Sequence, residues 1–221
     1  MDLLRTALEY VLHLDAHLAA LIDWAGAWTY VVLAGIVFAE TGLVITPFLP
    51  GDSLLFATGA LAAATGRLDI AGLFLLLTAC AIAGDAVNYH LGGLLGRQAA
   101  EGRLPLVKPA HIRVTEEFYA RHGGKTIILA RFIPIVRTFA PFVAGAGTMP
   151  YARFAAFNVA GGVAWVGSML FAGYFFGNLP LVRDNFSLVV LGIIVVSVIP
   201  GVVAVLQERA RIRAARGARP T

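Results

Sequence analysis

Thr46-Pro47-Phe48-Leu49-Pro50-Gly51-Asp52 breaks the 43 residues between Asp23 and Arg67, an otherwise apolar stretch whose other charged residue is Glu40. One crossing of the roughly 30 Å hydrocarbon layer takes about 20 apolar residues. The stretch is therefore too long for one span and leaves almost nothing for a turn between two. Two half-depth helices meeting at the Pro-Gly break fit it better. Backbone outside helices survives at membrane depth only where protein or a water-filled cavity covers its polar groups. The break is therefore expected inside a bundle, facing a pocket.

The rest of the composition agrees with lipid as solvent. The chain has 221 residues, 59% apolar and 14% charged, with a mean hydropathy of +0.80. A soluble domain carries about a quarter charged residues. Cys80 is the single cysteine, which excludes an internal disulfide and a thiolate cluster; it reads as a core residue. The net charge of +4 does not point to nucleic acid, because the basic residues are concentrated in two places. Five arginines lie in the last thirteen residues, Arg209 to Arg219, and six Lys or Arg residues lie between Arg97 and Lys125. This asymmetry places both segments, including the C-terminus, in the cytoplasm. Met1-Asp2 is not followed by a basic stretch and a short apolar core, so no signal peptide is expected.

Residues 3 to 22 mix leucines with Arg5, Glu9, Asp15, His13 and His17, a pattern for an amphipathic helix at the interface. His13 and His17 have metal-ligand spacing but read as solvated helix-face residues, and no metal or cofactor is expected. Ile70 to Gly96 is a cleaner span carrying Asp85, Asn88, Tyr89 and His90. Thr126 to Met149 is again apolar but broken by Arg131, Pro134, Arg137 and Pro141, which predicts a second re-entrant hairpin. Phe154 to Leu181 and Phe186 to Leu206 read as full spans. Thr115 is expected to cap a short helix in the basic loop.

The chain thus reads as one all-α polytopic membrane domain. Residues 1–27 form the N-terminal amphipathic helix, 28–96 a re-entrant hairpin plus span, and 97–125 a cytoplasmic loop. A second hairpin plus span follows at 126–182, then the last span at 183–207 and a basic cytoplasmic tail at 208–221. With about three full spans, the two hairpins enter from opposite sides as an inverted repeat. Paired interrupted segments at matching places of two halves point to a transport site near the midplane.

Glu40, Asp52, Arg131 and Arg137 are ionisable residues inside apolar segments, where their cost makes a functional role the default reading. The bland alternative is an ion-pair network that locks the hairpins, but buried pairs stabilise poorly compared with apolar packing. Carboxyl groups suit Glu40 and Asp52 to loading and releasing a proton. The planar fork of arginine suits Arg131 and Arg137 to phosphate oxygens. Pro134 between the arginines should kink the segment and leaves their separation open.

Phe38-Ala39-Glu40-Thr41-Gly42, then Pro47-Phe48-Leu49-Pro50-Gly51-Asp52, then Leu54 to Ala60 closely resembles the first signature of the DedA family, also called SNARE-associated or VTT-domain proteins. Gly84-Asp85 with Tyr89, Gly92 and Gly96 resembles its following span. Phe118, His122-Gly123-Gly124-Lys125, Arg131 to Arg137, Ala144-Gly145, Met149, Phe154, Asn158, Gly162 and Trp165 look like its second hairpin and span. Together these cover about residues 35 to 178. The resemblance implies two membrane-embedded re-entrant helices and proton-coupled lipid translocation in the bacterial plasma membrane. The implied substrates are undecaprenyl phosphate or a phospholipid such as phosphatidylethanolamine. It also places Glu40, Asp52, Arg131 and Arg137 on the family's essential acidic and basic positions.

Lesser candidates have plainer readings. Asp85 and Asn88 extend a polar pathway or equally hydrogen-bond a neighbouring helix. His90 reads as an interface histidine, and Ser53 as the cap of the half-helix starting there. Gly92, Gly93, Gly96, Gly161 and Gly162 read as close-packing positions, and Trp24, Trp28, Tyr30 and Trp165 as interface belt or core. A lipid phosphatase is the rival to transport, but it would want a nucleophile or metal set beside the arginines, and the expectation is that the chain is not an enzyme. A non-transporting scaffold is the third reading. The expected partners are a phosphate-bearing lipid, protons and the membrane, and a homodimer is compatible with the sequence.

Overall fold

A computed structural model of the chain describes residues 20, 24–43, 51–100, 109–147, 149–183, 185, 188–189 and 191–193. Nearly all of the expected amphipathic helix, with His13 and His17, lies outside the described residues. So do the Thr46 to Pro50 break, most of the last span and the basic tail.

Eight α-helices carry the described chain: α1 (Trp28–Gly42), α2 (Gly51–Thr65), α3 (Ile70–Ala100), α4 (Pro109–His122), α5 (Thr126–Ala130), α6 (Pro134–Ala146), α7 (Tyr151–Phe176) and α8 (Pro180–Arg183). Among the described residues there is no strand. Two stretches, Ile70–Gly96 of α3 and α7, are long and apolar enough to cross a membrane. At 1.5 Å per residue the first is about 40 Å long, against about 22 Å for the 15 residues of α1 or α2. The long helices present Leu75, Val87, Leu94, Val163 and Phe175 outward, an apolar surface suited to lipid.

Prolines set the second break. Ile133 is extended (φ −127°, ψ 102°) with Pro134 in the first turn of α6, since a residue before proline is pushed out of helical space. Proline itself fits where no helical N–H is needed. The interruption between Arg131 and Arg137 is therefore confined to residues 131–133. Pro141 lies inside α6 without ending it, although it offers no N–H to the carbonyl of Arg137.

Two local expectations are corrected. Thr115 caps nothing, because its helix begins at Pro109 and Thr115 is buried within it. Ser53 is no cap either: α2 begins at Gly51, and the buried Ser53 Oγ finds no hydrogen-bond partner among the described residues.

Packing follows the same rule in both halves. α1 lies on α3 and α5 on α7, each on the long helix that follows it in sequence, whereas α2 lies on α7 and α6 on α3, each on the long helix of the other half. Small residues make these exchanges. A methyl group on Gly59 would meet the Leu170 carbonyl and one on Gly173 the Phe56 carbonyl; likewise Gly145 faces the Tyr89 carbonyl and Gly92 the Phe142 carbonyl. Ala60 abuts Gly177 just as Ala146 abuts Gly96. Phe-x-x-Gly-Ala at 56–60 and 142–146 therefore meets Gly-x-x-x-Gly at 173–177 and 92–96, a spacing that lets helix backbones approach closely.

Both crossings are parallel, while α3 and α7 run oppositely, with Ile82 near Asn158 and Gly162, and Phe74 near Gly167 and Phe171. The result is two blocks of like-directed helices, α1, α3 and α6 against α2, α5 and α7. One apolar core gathers Leu33, Leu55, Leu77, Trp165 and Leu170. A second gathers Ile127, Val136, Ala140 and Phe154. Asp85 and Asn88 on α3, and Asn158 on α7, fall between them.

Candidate functional site

Arg137 projects from the first turn of α6 into the gap between α1 and α2. Its Nη1 donates to Asp52 Oδ1 at 3.0 Å, and its Nη2 pairs with Glu40 Oε1. Glu40 is at the end of α1 and Asp52 in the first turn of α2, so one guanidinium joins both arms of the first interrupted stretch. The Gly51 N–H also donates to Glu40 Oε1 at 3.2 Å. A side chain at Gly51 would occupy the space of the Glu40 carboxylate, which ties this bond to glycine.

Arg131, in the turn after α5, is not the second partner of those acids. Its Nη2 donates to Asp85 Oδ2 at 2.5 Å and to Asn158 Oδ1 at 2.6 Å. Asn158 in turn donates to the Ile82 carbonyl at 3.0 Å. Arg131 Nε and Nη1 and Asp85 Oδ1 are buried without a hydrogen-bond partner among the described residues. An ion-pair network joining the two hairpins is therefore carried by Arg137 alone, which takes both hairpin acids, while Asp85 of the long helix takes Arg131. Asn88 donates to the carbonyls of Thr41 (3.2 Å) and Thr138 (2.9 Å), stapling α1 and α6 to α3.

Trp165 joins the two groups. Its Nε1 donates to Asp52 Oδ1 at 2.7 Å. Its ring lies 5.0 Å from the Arg137 guanidinium carbon and 5.8 Å from that of Arg131. The interface reading of Trp165 is excluded, since it is 0% exposed. The sequence reading gave no polar role to Trp165 or Asn158. The available signal was Asn158, Gly161, Gly162 and Trp165 at offsets of three, four and seven, one face of a helix bearing polar and small groups in an apolar span. His90 lies apart from this layer, exposed and stacked on Tyr151.

Asp85, Arg131 and Arg137 are each at least nine-tenths buried, as is Glu40, and the Asp52 side chain is 12% exposed. Three carboxylates face two guanidinium groups, an excess of one negative charge if all are ionised. One proton makes the layer neutral.

A cleft of about 630 Å³ opens at the other end of α6, lined by Gly96, Glu116, Tyr119, Phe142, Met149 and Arg153 among others. It does not include the charged layer. Tyr119 Oη donates to the Ala140 carbonyl at 2.9 Å. Burial, and secondly the charge of Asp85, push its phenol above the ordinary tyrosine range, so it remains a donor.

Residues 49–175 match the sequence profile of the VTT domain. The chain is 51% identical over 219 residues to protein DedA of Escherichia coli, covering 98% of this chain and 100% of that protein. It is 41% identical over 170 residues, 76% of each chain, to an uncharacterized membrane protein of Mycobacterium leprae. Identity to inner membrane protein YqjA of Escherichia coli is 37% over 153 residues, 69% of each chain. No solved structure matches.

Proposed function

The chain belongs to the DedA family of VTT-domain membrane proteins, and from that premise we propose that it is a proton-coupled transporter moving a phosphate-bearing lipid across the bacterial plasma membrane. The lipid is undecaprenyl phosphate or a phospholipid such as phosphatidylethanolamine. The protein crosses the membrane several times with its C-terminus in the cytoplasm, and α1–α2 and α5–α6 act as re-entrant hairpins of an inverted repeat. Relatives named as membrane and inner membrane proteins support the location. The matched packing of the two halves and the short arms beside full-length α3 and α7 support the topology.

The observation that carries the transport reading is Arg137 held between Glu40 and Asp52. Opposite charges about 4 Å apart attract by about 4 kcal/mol at an effective dielectric of about 20, roughly a thousandfold bias against giving the guanidinium to another anion. A proton on either carboxyl removes that competitor and leaves Arg137 N–H groups for a phosphate. Phosphate entering the unprotonated layer would instead add charge to an existing negative excess. Protonation therefore precedes lipid binding, and release of the proton on the other side restores the pair and expels the headgroup. Asp85 and Arg131 lie on this pathway as the second charge pair, and Asn88 holds it in register.

Purified protein in proteoliposomes containing a lipid phosphate, with and without a pH gradient, tests this. Gradient-dependent movement of the headgroup between leaflets is expected, with loss in Glu40→Gln and Asp52→Asn. Movement unaffected by the gradient overturns the coupling, and release of inorganic phosphate would point to hydrolysis.

A further inference from the structure

The geometry points to Trp165 as a positioning residue whose indole N–H fixes Asp52 and whose ring holds the Arg137 guanidinium when a carboxylate lets it go. Asp52 Oδ1 accepts from two donors, Trp165 Nε1 at 2.7 Å and Arg137 Nη1 at 3.0 Å. A proton added at the other Asp52 oxygen leaves Oδ1 an acceptor for the indole, though a weaker one, whereas Arg137 loses both bond strength and the attraction between opposite charges. Without another anchor, the freed guanidinium would be drawn wholly to Glu40. Here the Trp165 ring is 5.0 Å from its central carbon in a water-poor interior, where cation–π attraction is strongest. That attraction acts on the charge and leaves N–H edges to bond phosphate oxygens.

The indole sits at the border of the apolar core and the charged layer. Glu40 of α1, Asp52 of α2, Asp85 of α3, Arg131 after α5 and Arg137 of α6 all share hydrogen bonds or cation–π contacts within this layer. Trp165 has a cation–π contact with both arginines.

Handing Arg137 to a lipid rests on the transport reading above, whereas the indole link to Asp52 does not, so two measurements separate them. The chain has three tryptophans, and Trp24 and Trp28 are 87% and 70% exposed. Replacing these two by phenylalanine leaves Trp165, itself untouched, as the fluorescent reporter. In nanodiscs its emission is expected to change with pH, and Asp52→Asn is expected to abolish the change. Emission that ignores both pH and Asp52→Asn overturns the link, whatever the protein transports.

The second measurement compares Trp165→Phe, which keeps a ring and loses the N–H, with Trp165→Leu, which loses both. Trp165→Phe removes the donor to Asp52 Oδ1 and is expected to displace the transport pH profile, which a loss of packing alone would not move. Trp165→Leu shares that shift and in addition raises the half-saturating lipid concentration about tenfold. A wild-type pH profile in Trp165→Phe, or identical behaviour of the two variants, overturns the role.

Discussion

Arg137 and Arg131 are both buried arginines paired with a carboxylate, yet their surroundings differ in kind. Arg137 is divided between two carboxylates on two helices, one of them partly exposed, and rests near an aromatic ring. Arg131 is 2% exposed and sends one nitrogen to one carboxylate and one amide. The first arrangement offers alternatives, so a partner can leave without stranding the cation. The second has a single carboxylate, with the neutral Asn158 amide and the more distant Trp165 ring, at 5.8 Å, beside it. On the proposed transport reading, exchange is assigned to Arg137, while Arg131 with Asp85, the second charge pair of the pathway, also closes the seam between the two helix blocks.

The largest expected effect tests that division. Arg131→Met strands a buried Asp85 carboxylate, and removing one partner of such a pair costs about 3–5 kcal/mol. Thermal unfolding in detergent should show a large loss, mostly recovered when Asp85→Leu is added. Failure of the second change to recover stability would assign Arg131 something other than a lock. Next, Gly59→Ala and Gly145→Ala place a methyl group against a backbone carbonyl at equivalent crossings. Each should cost about 1–3 kcal/mol by overpacking, measured in the same unfolding assay. Markedly unequal losses would break the equivalence of the two halves.

At Arg137 the effect should appear in activity. Arg137→Lys keeps the charge but loses the fork that holds two carboxylates and matches a phosphate. Headgroup translocation in proteoliposomes should fall about tenfold, the equivalent of one lost interaction of about 1.4 kcal/mol. The fall should exceed any change in thermal stability. Wild-type transport by the lysine variant would remove the distinction between the two arginines.

Hydrophobic run lengths, prolines and ionisable residues out of place locate the interruption at residues 131–133 and four of the five charges in the buried layer. From sequence Asp85 reads as half of a polar pair with Asn88, not as the partner of Arg131. That pairing depends on which long helix each short arm lies upon. The arm placement is fixed by Gly59, Gly145 and their partners dozens of residues away, so no local pattern announces it. Trp165 and Asn158 were obscured for another reason: a tryptophan in an apolar span satisfies hydrophobic periodicity whether or not its N–H is used. Thr115 and Ser53 show the reverse failure, cap residues by type that lie inside helices.

Tyr119 gives the smallest expected effect. Its hydroxyl pins α4 to the Ala140 carbonyl, one turn from Arg137, and it also feels the charge of Asp85. Tyr119→Phe removes one hydrogen bond, worth about 0.5–1.5 kcal/mol. Its phenol is raised above the ordinary value of 10.0 in the folded protein. The sign follows: below about pH 10 the phenol is protonated in both states and the preference is fully expressed. Above it the unfolded chain ionises first, so the wild-type protein loses stability as pH rises and the phenylalanine variant escapes that loss. Unfolding curves at neutral and alkaline pH should therefore converge. A difference that instead varies between pH 5 and 8 would show that Tyr119 is coupled to the carboxylates around Arg137, and the separation of the two arginines would have to be redrawn to include it.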